Sequence, residues 1–322
     1  MKWIAGGVCA AKGFLASGIH CGIRKNKSKK DLALIVSQVR ACAASIYTKN
    51  LVKGAPIFVT KDHIKDGFAQ AILCNSGNAN TCNADGIDIA KGMCALVEKH
   101  LTISASDVIV ASTGVIGQPL SLAPMAEHMA KLTEALSAYG EGAAAEAIMT
   151  TDTIKKEAAV SFVIGGKTCR LGGMAKGSGM IHPNMATMLV FLTTDAAISP
   201  EMLQKALVCD TRDTFHMISV DGDTSTNDMV SILANGQAGN EPILEEGEAF
   251  DTFLKALNAV TATLCKAIAK DGEGATKLLT CIAAGAADKE AARKVSKSVI
   301  CSSLLKSAMF GADANWAVSC AP

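Results

Sequence analysis

The chain has 322 residues, with 31 Lys and Arg against 30 Asp and Glu and a formal net charge of +1. That length can bury a sizeable core as one large domain or two, and the balanced charge argues against a dedicated nucleic-acid binder. Twelve cysteines lie scattered without CxxC or CxxH spacing, and no apolar run reaches the ~18 residues of a membrane span, so free thiols in the cytoplasm are expected.

Along the chain, MKWIAGGVCAAK reads as a first strand and turn rather than a signal peptide, because its apolar stretch carries two glycines and stops at Lys12. The basic run Arg24, Lys25, Lys27, Lys29 and Lys30 precedes strand-like LALIVS (32–37) and reads as a solvated hairpin tip. AILCNSG (71–77) and DVIVAS (107–112) read as strands ending in turns. Between them, Ile87, Ala90, Met93, Cys94, Val97 and Leu101 recur at helical spacing, and 122–136 is a second amphipathic helix. Residues 140–145 read as a flexible surface connection. Two runs, 158–164 and 168–171, flank Gly165-Gly166 as a hairpin. A strand over 188–192, a helix over 200–215, a strand over 229–234 and helical patterns over 250–270 and 289–310 complete the chain. This mixture predicts an α+β fold, a layered α/β sandwich with mixed sheets.

The segment MAKGSGMIHPNMATMLVFLTTD (174–195) carries the most chemical information. Thr187 stands between a small residue, Ala186, and a strand-like run, after a stretch broken by Gly177, Gly179 and Pro183. A threonine hydroxyl is a weak nucleophile until a base sits beside it. One solution is to make the threonine an N-terminus, whose α-amine has a reference pKa of about 7.7–8.0 and can take the hydroxyl proton. An internal threonine reaches that state only if the preceding peptide bond is cut. By pattern alone, the same run is also an ordinary turn feeding a buried strand.

Other motifs divide between chemistry and architecture. In STGVIG (112–117), Thr113 and Gly114 put a hydroxyl and a backbone N–H side by side at a strand end, two donors suited to an oxyanion, although pattern alone favours a simple turn. Cys74 in CNSGNAN (74–80) has no histidine placed beside it and reads as a buried structural thiol. DGDTSTND (221–228) alternates oxygen side chains, yet Thr226 and Ile232 stand where a calcium loop needs glycine and glutamate. GGKT (165–168) lacks the first glycine of a phosphate loop, and the six histidines show no metal-ligand spacing. Lys176 and Glu273, isolated charges among glycines, read as surface residues by default.

GSGMIHPNMATML closely resembles the processing segment of the ornithine acetyltransferase (glutamate N-acetyltransferase) family. The resemblance extends, in the family's order, to GGVCAAKGFLASGI (6–19), CNSGNAN, STGVIG, TTDT (150–153), VDGDTSTND (220–228) and DGEGATK (271–277), and spans about residues 4–316. It implies a fold similar to the self-processing aminopeptidases and self-cleavage between Ala186 and Thr187. An α-chain-like part (1–186) and a β-chain-like part (187–322) would result, assembled as a heterotetramer with two of each. Thr187 would be the nucleophile, with Thr113 and Gly114 as the oxyanion hole. Thr153, Lys176, Thr187 and Glu273 would contact substrate, with Asn78 and Asn80 in support. The implied reaction moves an acetyl group from N2-acetylornithine to glutamate through an acetyl-threonine, without metal or resident cofactor. Acetyl-CoA is a second donor in some members, and nothing in the sequence decides it here.

Two other readings stand beside this one. An aminopeptidase of the same architecture would use water as acceptor, but that group uses serine where this chain has Thr187. The second concerns the end of the chain. FGADANW (310–316) resembles a family motif in which proline is usual at Ala314 and a Gly-Arg-Ile segment follows, whereas here the sequence reads AVSCAP. The expectation is a truncated member with the fold but an incomplete pocket, weak in acetyl transfer.

Overall fold

The computed structural model describes residues 1–182 and 188–320. Among the described residues, nine strands form one mixed sheet. They are β1 (Lys2–Ile4), β2 (Phe14–Ile19), β3 (Leu32–Tyr47), β4 (Phe68–Asn75), β5 (Val108–Ser112), β6 (Lys156–Ile164), β7 (Lys167–Lys176), β8 (Leu189–Thr194) and β9 (Met229–Ala234). Their order is β1-β6-β7-β8-β9-β3-β4-β5, with β2 paired to β3. Parallel neighbours need a long crossover, and both parallel pairs have one. The helix α2 (Gly86–His100) lies between β4 and β5, and α5 (Pro200–Thr211) between β8 and β9. The β6–β7 hairpin turns at Gly165 and Gly166, whose φ of 56° and 76° suit a tight two-residue turn.

β3 is sixteen residues long, well beyond the six expected. The sequence reading stops at Ser37 because Gln38, Val39 and Arg40 break the apolar run. Those three residues are exposed at a register shift between Val36 and Ala41, and the strand continues past it. Its first half pairs with β2 and its second half with β9. This lets the sheet fold back on itself. Buried residues of β4 and β5 (Ile72, Cys74, Ile109, Ala111) share one inner cluster with Met174 of β7 and Leu189 and Phe191 of β8. The alternate residues face outward: Val190 and Leu192 meet α5 and α6 (Glu248–Lys270), while Leu73 and Val110 meet α2 and α3 (Ala123–Glu134). The result is a helix–sheet–sheet–helix sandwich, the expected α+β layering.

Three local expectations are corrected. Residues 140–145 open a helix, α4 (Glu141–Ile148), with Ala144, Ala145, Ala147 and Ile148 fully buried. A Cβ on Gly140 would collide with the Ala16 carbonyl, and one on Gly18 with the Ala143 carbonyl, so these glycines serve close backbone approach rather than flexibility. Arg24 is half-buried and its Nε donates to the Ser76 carbonyl at 2.9 Å, so it does not belong to the solvated tip. The 289–310 pattern breaks at Ser302 into α7 (Lys289–Cys301) and α8 (Ser303–Phe310), because the Ser302 hydroxyl accepts the Leu305 N–H and caps a new helix. The remaining helix, α1 (Ala55–His63), packs on β5.

Candidate active site

Ala186 and Thr187, the expected cleavage site and nucleophile, lie outside the described residues. Their flanks are well defined. Upstream, the Ile181 carbonyl accepts the Val220 N–H at 2.6 Å, and the His182 carbonyl accepts the Thr224 hydroxyl at 3.1 Å. Downstream, the Met188 N–H donates to Asp228 Oδ1 at 2.9 Å, and the Met188 carbonyl accepts the Met229 N–H at 3.1 Å. Both flanks are therefore tied to the single stretch 220–229 that leads into β9.

Thr113 and Gly114 follow β5 directly. The Thr113 N–H donates to the Asn75 carbonyl at 2.9 Å, and its side chain is buried. Gly114 has φ +121°, and a Cβ there would lie 2.7 Å from the Gly77 carbonyl carbon, so only glycine fits. The loop opposite is a chain of side-chain-to-backbone bonds. Asn75 Oδ1 accepts the Gly77 and Asn78 N–H groups, Asn78 Oδ1 accepts the Asn80 N–H, and Asn80 Nδ2 donates to the Gly86 carbonyl. Asn78 and Asn80 thus act as scaffold. Cys74 is fully buried and burial pushes its thiol up to about 12, which fits a structural thiol.

Lys176 closes β7 and is only 2% exposed, against the surface reading of an isolated charge. Burial lowers its pKa, while the carboxylates of Asp152 and Asp228 favour the charged form. Thr153 is exposed, and its N–H and hydroxyl both donate to Asp271. Glu273 is exposed beside Gly179, where a Cβ would strike its carboxylate, and its N–H donates to the Ser178 carbonyl at 3.0 Å.

These three residues are linked by a buried ion cluster. Lys156 Nζ reaches Asp152 and Asp271, each at 2.6 Å, and all three side chains are nearly or wholly excluded from solvent. Asp152 also accepts the N–H of Gly177, next to Lys176, at 2.7 Å. The Asp271 carbonyl accepts the Ser178 hydroxyl. One cluster therefore positions Thr153, Lys176 and Glu273 together. A cavity of about 700 Å³ opens between α6, α7 and α8; Glu273 lines it, while Thr113 and Lys176 do not.

Sequence reasoning gave Asn227 and Asp228 no individual role: their motif was rejected as a calcium loop and counted only within the family resemblance. Asn227 Nδ2 donates to the Ala79 carbonyl at 2.6 Å and the Ser112 carbonyl at 3.0 Å, and its Oδ1 accepts the Thr81 hydroxyl. It thereby fastens the loop after β4 to the end of β5, just before Thr113. The available signal was two polar residues placed immediately before an apolar strand. Among the described residues, no group of three or more His, Cys, Asp or Glu could hold a metal, and no helix is long and apolar enough to cross a membrane.

The chain is similar to known proteins over most of its length. A family model described as the ArgJ family matches residues 15–321. The arginine biosynthesis bifunctional protein ArgJ of Symbiobacterium thermophilum is 51% identical over 318 residues, covering 98% of this chain and 79% of that protein. Its namesake from Caldanaerobacter subterraneus is 48% identical over 317 residues, covering 98% and 78%. The crystal structure of ArgJ from Bacillus halodurans is 43% identical with a TM-score of 0.53, covering 56% of this chain and 95% of that one. The PH0078 protein of Pyrococcus horikoshii, 11% identical with a TM-score of 0.51 over 84% of this chain and 88% of its own, shares the fold. Fold and sequence together define an α+β acyltransferase. The chain belongs to the ArgJ family.

The turn after β5 can be tested directly. If the Thr113 hydroxyl serves the oxyanion, as the family resemblance implies, Thr113→Ala should slow acyl transfer by roughly 10²–10³-fold. Gly114→Ala should also lower the rate, because its neighbour is backbone and cannot step aside. Initial-rate assays on folded variants read both, and wild-type rates in the pair would remove this turn from the site.

Proposed function

We propose that the chain transfers the acetyl group of N2-acetylornithine to glutamate, giving ornithine and N-acetylglutamate, after self-cleavage between Ala186 and Thr187. The observation that carries this reading is the common stretch 220–229, which holds both flanks of the cleavage segment and, through Asn227, the end of β5 beside Thr113. In the first half-reaction, Thr187 Oγ attacks the acetyl carbonyl and the Thr187 α-amine takes the hydroxyl proton. The oxyanion forms against the Thr113 hydroxyl and the Gly114 N–H. The C–N bond then breaks, the proton passes to the departing amine, and ornithine leaves an acetyl ester on Thr187. Glutamate's amine attacks that ester and restores the hydroxyl. The substrates carry a carboxylate and an ammonium group, and Lys176 and Glu273 offer one charge of each sign, with Thr153 beside them. The two pieces remain together, two copies of each, and the reaction runs in the cytoplasm without a resident cofactor.

Mass spectrometry of the intact pieces tests this. Incubation with N2-acetylornithine alone should add one acetyl group to the piece that begins at Thr187, and glutamate should then remove it. An acetyl group on a lysine or cysteine instead would overturn the assignment. Acetyl-CoA in place of N2-acetylornithine shows whether it is a second donor.

A further inference from the structure

Asp228 is an unexpected residue to find where it is. It stands immediately before β9, its side chain is fully excluded from solvent, and Oδ2 has no hydrogen-bond partner among the described residues. Burying a carboxyl in this way is costly, and burial pushes its pKa well above the ordinary carboxylate range. An apolar side chain of similar volume would fill the space more cheaply. The carboxyl is therefore expected to do something packing does not require.

The Met188 N–H, the Lys176 charge and the side chains of Ser225 and Thr48 all favour its charged form against burial, and the bond to the Met188 backbone gives the direction. β8 and β9 are parallel neighbours with Leu189 opposite Met229, so Met188 and Asp228 form the next step beyond the ladder. On the other side of β8, the β7 ladder ends at Lys176 opposite Leu189, and the following N–H, that of Gly177, turns to Asp152. The Met188 N–H is met by Asp228 Oδ1 at 2.9 Å. Asp228 is itself held in place, because its carbonyl accepts the Thr48 N–H at the end of β3 at 3.0 Å. The carboxyl thus caps the head of β8 from a rigid support. The peptide unit it grips is the one that joins Met188 to residue 187.

We propose that Asp228 is a positioning residue for the nucleophile, acting through the Met188 N–H that it fixes at the head of β8, the backbone group next in the chain after Thr187. This rests on the reading of Thr187 as nucleophile. Asn227, the adjoining residue, grips the Ser112 carbonyl beside the oxyanion donors. The dipeptide Asn227-Asp228 therefore ties the Met188 N–H, one residue after the nucleophile, to the Ser112 carbonyl, one residue before Thr113. Both self-cleavage and acetyl transfer depend on such positioning, since a misplacement of about 1 Å costs on the order of 10²-fold in rate.

The test compares Asp228→Asn, which keeps an acceptor for the Met188 N–H, with Asp228→Ala and the space-filling Asp228→Leu, which remove it. Cleavage is followed on denaturing gels, kcat and KM for N2-acetylornithine are measured on the cleaved fraction, and folding is read by circular dichroism. Asp228→Ala and Asp228→Leu should slow cleavage and lower kcat by about 10²-fold while KM stays within about threefold; Asp228→Asn should recover most of the loss. Normal cleavage and kcat in either acceptor-free variant would overturn the proposal. So would an Asn variant as slow as the Ala variant, or a rise in KM at constant kcat. If Ala and Leu variants both fail to fold while Asn folds, Asp228 is a folding residue and the proposal is also overturned. Thr187→Ala run in parallel separates the two readings. A Thr187→Ala protein that still cleaves and transfers removes the nucleophile itself, whereas an inert Thr187→Ala beside a fully active Asp228→Ala removes only the positioning role.

Discussion

Thr187→Ala should give one full-length band on a denaturing gel under every condition, and no acetyl transfer. The unsubstituted chain should instead give pieces spanning 1–186 and 187–322, about 19 and about 14 kDa by residue share. The reasoning is chemical. In the proposed step Thr187 Oγ attacks the Ala186 carbonyl, the peptide C–N bond breaks as an ester forms and frees the α-amine, and water then opens the ester to release the Thr187 hydroxyl and an Ala186 carboxylate. Without Oγ neither this step nor the later acetyl ester is available, so the effect is all or none. Thr187→Ser keeps an oxygen and should still cleave. A soluble, folded, unsubstituted chain that stays full length while transferring acetyl groups would remove self-cleavage from the mechanism.

Lys156→Met should cost about 3–5 kcal/mol of stability, the usual penalty for removing one partner of a buried ion cluster. It leaves Asp152 and Asp271 facing each other with their shared cation gone. For both carboxyls burial acts upward, yet both lie below their ordinary value of 3.8. The charges of Lys176 and Lys156 outweigh burial at Asp152, and the hydrogen bonds of Lys156 and Thr153 do so at Asp271. A depressed folded pKa contributes stability that is fully present above pH 3.8 and is lost as the pH falls through the lower folded values. In Lys156→Met that contribution is reduced, because the Lys156 share is lost at both carboxyls while Lys176 still acts on Asp152 and Thr153 on Asp271. The gap between the two proteins in urea titrations should therefore be widest near pH 7 and narrow on acidification. If Lys176, Thr153 and Glu273 contact substrate as proposed, KM should rise as well, because all three hang on this cluster. A gap below about 1 kcal/mol at pH 7 would mean the cluster is not a stabilising element.

The residues that announced themselves in the sequence were those whose partners are close in the chain. Gly165-Gly166 fixed a hairpin, the 3.6-residue spacing from Ile87 to Leu101 marked α2, and the apolar runs before Thr193 and Asn235 marked β8 and β9. What stayed hidden depended on distant partners. Lys156 meets Asp271 across 115 residues, and Asn227 meets Ala79 across 148. Lys176 looked like a surface charge because its neighbours are small and glycine-rich. It is buried at the end of β7, paired with Leu189 of β8 and within reach of the charges of Asp152 and Asp228, which lie far from it in the chain. The second half of β3 was masked by three exposed residues at a bulge, and α4 by an Ala-Gly composition that suggests looseness when its surroundings are ignored. Cap chemistry at Ser302 was legible in principle, since a serine inside a helical pattern is a candidate stop and restart.

The strand order has a consequence for a chain cut before β8. The first piece would own β1, β6 and β7 on one side and β3, β4 and β5 on the other, and the second piece would supply β8 and β9 between them. The second piece is a wedge. Pulling it out would strip the β7–β8 and β9–β3 ladders at once and open both faces of the inner cluster to water. Neither piece is then a folding unit in its own right, and subunit exchange between cut molecules would have to pass through global unfolding. Once made, the break would turn an intramolecular fold into an association held without any covalent link, with a lifetime set by the unfolding rate rather than by a dissociation constant.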